Sequence, residues 1–184
     1  MRISFDLDDT LVCPGAPADA RRPPWPLRRL FPESLRAGTR DLLRILALKG
    51  CEIWIYTTSF RSPLYVRGWC GSLGIPIRGV VNQDRHVREV GRDGPSKHPG
   101  RFGIELHVDD SEGVAREGER HGFDVLVVRP DDQASDDQDW HRKVLDEVAA
   151  RLDRDRPADR LDEGDASGSA RSDLRSPPRF VWIP

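Results

Sequence analysis

Two carboxylates, Asp6 and Asp8, stand two residues apart where the hydrophobic run Ile3-Ser4-Phe5 stops. Side chains on an extended strand alternate faces, so residues i and i+2 project to one side. Extended geometry through this stretch aims both acids together. Such a pair at the carboxyl end of a strand suits a divalent cation, or nucleophilic and acid/base work. Three more polar groups occupy comparable places: Thr57-Thr58-Ser59 after the apolar run 51–56, Lys97 in a polar loop, and Asp109-Asp110-Ser111 after the run 104–108. Alone, each has a plainer use. D-x-D-x-T commonly makes a turn, Thr-Thr-Ser caps one, a loop lysine is solvated, and Asp-Asp-Ser suits a helix N-terminus. Their order, and their recurrence at strand ends, point to one site.

The elements that must position these groups alternate. Strands are expected at 2–6, 51–56, 77–81, 104–108 and 124–128. Helices are expected at 39–49, 63–73, 111–121 and 137–152, with a short one around 86–90. In the first helix Leu42, Leu43, Leu46 and Leu48 form the apolar stripe, with Thr39 as N-cap and Gly50 as the stop. In the last, Trp140, Val144, Leu145, Val148 and Leu152 face inward. The pattern predicts an α/β fold: a Rossmann-like open parallel sheet of about five strands with helices on both faces. Such sheets bind ligands at the carboxyl ends of their strands.

At 184 residues the chain suffices for one domain with a substantial core, and 1–152 carries all the patterned elements. Residues 13–32 hold six prolines and are expected to form an irregular flap rather than a helix. Residues 153–179, poor in apolar side chains, are expected to be disordered, and 180–184 is a short apolar terminal segment. Net charge is −2, which supplies no global field for nucleic acid or a membrane surface. Cys13, Cys51 and Cys70 are odd in number and lack C-x-x-C spacing. With no secretory leader and no apolar run of spanning length, they point to a reducing cytoplasm. His86, His98, His107, His121 and His141 show no metal-ligand spacing, and His107 reads as structural. Arg21, Arg22, Arg28 and Arg29 flank Trp25; a solvated loop is the favoured reading, with contact to nucleic acid or phosphoprotein as the alternative.

D-x-D-x-T, a strand-terminal Thr, Lys97 and an Asp-Asp pair, in that order, resemble the four motifs of the haloacid dehalogenase-like (HAD) hydrolase superfamily. The resemblance covers about residues 1–150. It implies a phosphatase in which Asp6 attacks phosphorus and becomes an aspartyl-phosphate. Asp8 would protonate the leaving oxygen, then activate water, and its backbone carbonyl would bind metal. Thr57, preferred over Thr58, would bind a phosphoryl oxygen, and Lys97 would neutralise the nucleophile and the phosphoryl charge. Asp109 and Asp110 would complete a Mg²⁺ site with Asp6 and Asp8, one directly and one through water. An all-oxygen shell suits Mg²⁺ better than Zn²⁺. Thr58 and Arg61 are candidates for substrate contact.

Neither gap between motifs has room for a full cap domain, so the site should be open. That leaves room for macromolecular phosphorylated substrates, nucleotides or nucleic-acid ends. Three other classes compete. A non-catalytic scaffold has no need to keep every acidic and basic group. A haloacid dehalogenase proper needs no metal and a closed apolar pocket. A receiver domain carries its paired acids before a lone phosphorylated Asp, in another order.

Overall fold

The computed structural model describes residues 1–15, 17–129 and 140–154. Five strands form one sheet: β1 (Arg2–Phe5), β2 (Glu52–Tyr56), β3 (Gly79–Val81), β4 (Leu106–Asp109) and β5 (Val125–Val127). Their order is β3-β2-β1-β4-β5, and every neighbouring pair is parallel. The helices are α1 (Thr39–Leu48), α2 (Pro63–Ser72), α3 (Gln83–Glu89), α4 (Glu112–His121) and α5 (Trp140–Arg154). The expected open α/β sheet is present, and no cap domain is evident among the described residues.

Alternation along the strands divides the interior into two layers. Ile3, Phe5, Ile53, Ile55, Val80, Leu106 and Val108 join the main core with α1, α2 and α5. The intervening Tyr56 and Val81 form a second cluster with Phe102 and Ile104. Right-handed crossovers explain the layering. The chain steps one way through α1 and α2, from β1 to β2 to β3, and the opposite way through α4, from β4 to β5. Helices on oppositely directed crossovers cover opposite faces. The reversal falls between β1 and β4, which makes the ends of those two strands the switch point of the sheet.

Several boundaries differ from the sequence expectation, each for a physical reason. Gly38, not Thr39, is the N-cap of α1. It sits at φ +82°, a left-handed conformation natural to glycine, and its carbonyl accepts from Leu42 N. Leu48 leaves the apolar stripe and is 88% exposed, because it lies about 200° round the helix from Leu46. β3 begins at Gly79 rather than at 77. The Trp54 ring lies against that backbone, 2.4 Å from where a Cβ would stand, so only glycine fits. β4 and β5 are likewise shorter or shifted, and α3 starts at Gln83 because the Asn82 side chain accepts from Arg85 N.

The terminal helix was expected to begin at 137, and residues 137–139 lie outside the described set. It runs to Arg154, two residues into the stretch expected to be disordered. Arg151 holds its last turn, bonding Glu147 and Asp124 at 2.6 Å each. Trp140, Val144 and Val148 are buried, and Leu145 and Leu152 pack against them. The rest of the expected disordered stretch and the apolar end at 180–184 lie outside the described residues.

The proline-rich excursion carries one short 3-10 turn, Leu27–Arg29, and is otherwise irregular, as expected. It is pinned rather than loose. Ala18 bridges Arg36, Phe31 meets Tyr65 of α2 edge-on at 5.2 Å, and the Arg36 guanidinium covers the Trp140 ring. All three cysteines are free thiols, and no helix among the described residues is long and apolar enough to cross a membrane.

Replacing Leu46, wholly buried in the main core, with Ala should cost about 2–5 kcal/mol in a urea titration. Leu48→Ala should change stability by less than about 0.5 kcal/mol. Equal losses would contradict the observed rotation of α1.

Candidate active site

Register delivers the first two acids. Phe5 pairs with Val108, and Asp6 N donates to Val108 O at 2.8 Å, so Asp6 and Asp109 end adjacent strands side by side. Both face the layer opposite the main core, by the alternation that puts Phe5 and Val108 into it. The residues one pleat earlier, Ser4 and His107, are also paired across the strands and face the same way. A polar stack results: Ser4 Oγ to His107 Nδ1 at 2.8 Å, and His107 Nε2 to Asp109 Oδ2 at 2.9 Å.

Lys97 closes this stack. Its Nζ donates to Asp109 Oδ2 at 2.5 Å and lies 2.7 Å from Asp6 Oδ1. The contact with Asp6 is one of charge, because the geometry is not that of an aligned hydrogen bond. The three charged groups are buried together. The loop holds the lysine there from both sides. Ser96 N and Oγ donate to Glu117 of α4, and His98 N donates to the Tyr56 hydroxyl.

The environments drive the two carboxyls apart. Burial works to raise Asp109, but hydrogen bonds from His107, Lys97 and Ser111 N and the lysine's charge hold it well below the usual carboxylate range. Asp6 has no such set of donors. Burial, reinforced by the Asp109 charge and only partly offset by Lys97, pushes it up to about 6. His107 is pushed down to about 4 by burial, so it is neutral at pH 7. An ionised Asp109 accepts, hence His107 Nε2 carries the proton and Nδ1 accepts from Ser4.

Carboxylate oxygens of Asp6, Asp109 and Asp110 lie within 4.8 Å of one another. Thr10 Oγ1 donates to Asp110 Oδ1 at 3.2 Å, which ties the turn after β1 to this acid. Three hard anionic oxygens, one of them on an under-solvated Asp6, fit a Mg²⁺ ion. Ser111 caps α4 as expected, accepting from Gly113 N.

The Asp8 side chain goes elsewhere. β1 ends at Phe5 and the chain bends at Leu7, between the two acids, before the left-handed turn at Asp9, so extended geometry does not continue through the motif. Asp8 Oδ2 instead accepts from Arg61 Nη1 at 2.8 Å, and Arg61 Nη2 bonds Oε1 of Glu33, just after the excursion, at 2.6 Å. Thr57 is buried at the end of β2, its hydroxyl engaged with Ser59. Thr58 is exposed and lines a neighbouring cleft.

The site therefore gathers Asp6, Lys97, Asp109 and Asp110 directly, and joins Asp8 to Arg61 at its edge. Sequence reading gave His107 a structural role and missed Ser4 as its partner; the signal was available, a polar residue two before each strand-terminal acid. Glu33 carried no signal, since nothing in an irregular loop marks which side chain turns toward Arg61. No family model and no curated protein matches this chain.

A raised Asp6 gives a definite sign to stability. The folded carboxyl binds its proton more tightly than the unfolded one, so its contribution is most favourable below about pH 4. It is lost as pH rises to about 6, and the difference is on the order of 3 kcal/mol. Metal-free Asp6→Asn should therefore resist urea better than wild type at pH 7.5, with the advantage vanishing by pH 4. Lys97→Met, which leaves two acids without their cation, should lose about 3–5 kcal/mol at pH 7.5. Reversal of either sign would contradict the described charge balance.

Proposed function

We propose that the chain is a Mg²⁺-dependent phosphatase of the HAD-like superfamily, hydrolysing a phosphomonoester through an aspartyl-phosphate on Asp6. The observation that carries the reading is the buried Asp6–Lys97–Asp109 cluster, with Asp110 beside it, at the switch point of a parallel sheet. A structural ion pair needs one acid per cation. Here a single lysine serves two buried acids with a third alongside, and that surplus of negative charge suits a cation and a phosphoryl group.

Mg²⁺ held by Asp6, Asp109, Asp110 and the Asp8 carbonyl would offset repulsion between the nucleophile and the phosphoryl oxygens. The remaining chemistry belongs to side chains. With its pKa near 6, Asp6 is ionised at pH 7–8. One of its oxygens attacks phosphorus and the bond from phosphorus to the leaving oxygen breaks; Asp8, protonated from solvent once the incoming phosphate draws Arg61 away from it, gives that oxygen its proton. Asp8 then takes a proton from water. The hydroxyl oxygen attacks phosphorus, and the Asp6 carboxylate departs with release of inorganic phosphate. Lys97 stays beside Asp6 throughout and balances charge on the transferring group. Thr57, at the end of β2, is assigned to a phosphoryl oxygen. Arg61 holds the Asp8 carboxylate before substrate arrives, a contact that positions the acid/base and places a cation near the incoming phosphate.

With Mg²⁺, the protein should hydrolyse p-nitrophenyl phosphate, lose that activity to excess EDTA, and lose about a thousandfold or more in kcat as Asp6→Asn. Beryllium fluoride with Mg²⁺ should raise the melting temperature of wild type but not of Asp6→Asn. A scaffold would show neither turnover nor the shift.

A further inference from the structure

We propose that the cleft between Thr58 and α3 is the leaving-group subsite, and that it takes the nucleoside of a nucleoside monophosphate. This rests on the phosphatase reading above and specifies its substrate. The cleft has a volume of about 610 Å³ and is lined by α3, the loop 91–96, Thr58 and Phe60. Volumes of this size are typical of small-molecule sites.

Its position is fixed by chain continuity. Thr58 follows Thr57, assigned to the phosphoryl group, and Ser96 precedes Lys97, which touches Asp6. A phosphoryl group seated between Thr57 and Lys97 therefore has the cleft at the next residue on both sides. The cleft is lined by neither Asp6 nor Lys97, so it adjoins the phosphoryl position, and a leaving group reaches it past Thr58 and Ser96.

The lining indicates what kind of group that is. Phe60 is 72% exposed and makes no ring contact among the described residues, and a ring so placed offers a flat face for stacking. Gln83 supplies both a donor and an acceptor, Asp84 acceptors, and Arg92 donors. Asp84 and Arg92 balance, so the cleft sets no strong field for an acidic or basic peptide, nor for a second phosphate. His86 forms part of the wall and is fixed from behind, its Nδ1 2.5 Å from the buried Tyr56 hydroxyl. A rigid wall, an exposed aromatic ring and mixed, neutral hydrogen-bonding groups match a base and its sugar.

The test compares kcat/KM for the four ribonucleoside 5′-monophosphates, their 3′ isomers, glycerol 2-phosphate and a phosphotyrosine peptide, all with Mg²⁺. Wild type should prefer at least one nucleotide over glycerol 2-phosphate by about tenfold or more, as stacking of one base provides. Phe60→Ala, at an exposed position, should remove most of that preference and leave glycerol 2-phosphate turnover within about twofold. Equal turnover of nucleotides and glycerol 2-phosphate, preference for the peptide, or an unchanged preference in Phe60→Ala would overturn the subsite. Nucleotide binding to Asp6→Asn, followed by calorimetry, separates the two readings. Absence of all hydrolysis with that binding retained and weakened by Phe60→Ala would keep the cleft's ligand and sink the phosphatase reading. Absence of both would sink the two together.

Discussion

One buried cation serving two carboxylates is the constraint on which the site depends. Lys97 lies within 2.7 Å of both Asp6 and Asp109, away from water. A charge so placed is costly unless it is paired and held, and the surrounding structure is arranged to hold it. Glu117 fixes the residue before it, and Tyr56 the residue after it. Asp109 receives donors from His107, Lys97 and Ser111, and is locked as an anion. Asp6 receives far less and is left with a raised affinity for positive charge, either a proton or a metal. Two neighbouring acids pushed in opposite directions suit different roles, and the proposal assigns Asp109 to organising the site and Asp6 to attack.

The fold supplies this asymmetry through register and handedness. Parallel pairing of β1 with β4 sets Asp6 beside Asp109 at the point where the crossover direction reverses. The irregular excursion adds a second, outer tier. Through Glu33, just after it, the chain braces Arg61, which in turn braces Asp8. The proposed nucleophile thus sits on the sheet itself, whereas the proposed acid/base rests on a fork of side chains from loops. In the proposed two-step reaction, a rigid attacking group and an adjustable proton donor would let that donor serve two different oxygens in turn.

Much of this was legible in the sequence, because the signals were periodic. The five strands and main helices followed from apolar alternation and turn residues, and the acids at strand ends followed from the strands. What failed were details that depend on neighbours. Leu48 looked like part of an apolar stripe until the rotation of α1 was fixed by Leu42, Leu43 and Leu46. Thr39 looked like a cap, but the left-handed turn at Gly38 starts the helix. The same-face geometry assumed for Asp6 and Asp8 requires extended backbone, and the chain bends at Leu7 between them. The Asp8–Arg61–Glu33 fork joins three loops, where no periodicity exists to read. His107 was visible as a buried histidine, but its bond to Asp109 depends on the pairing of β1 with β4.

The central claim is that Asp6 becomes phosphorylated. Protein turning over p-nitrophenyl phosphate with Mg²⁺ can be quenched in acid, treated with borohydride and digested, and residue 6 examined by mass spectrometry. An acyl phosphate on Asp6 is reduced to the alcohol, so the account predicts conversion at position 6 alone, dependent on substrate. Sustained turnover with Asp6 unmodified, or with reduction at another carboxyl, would contradict it.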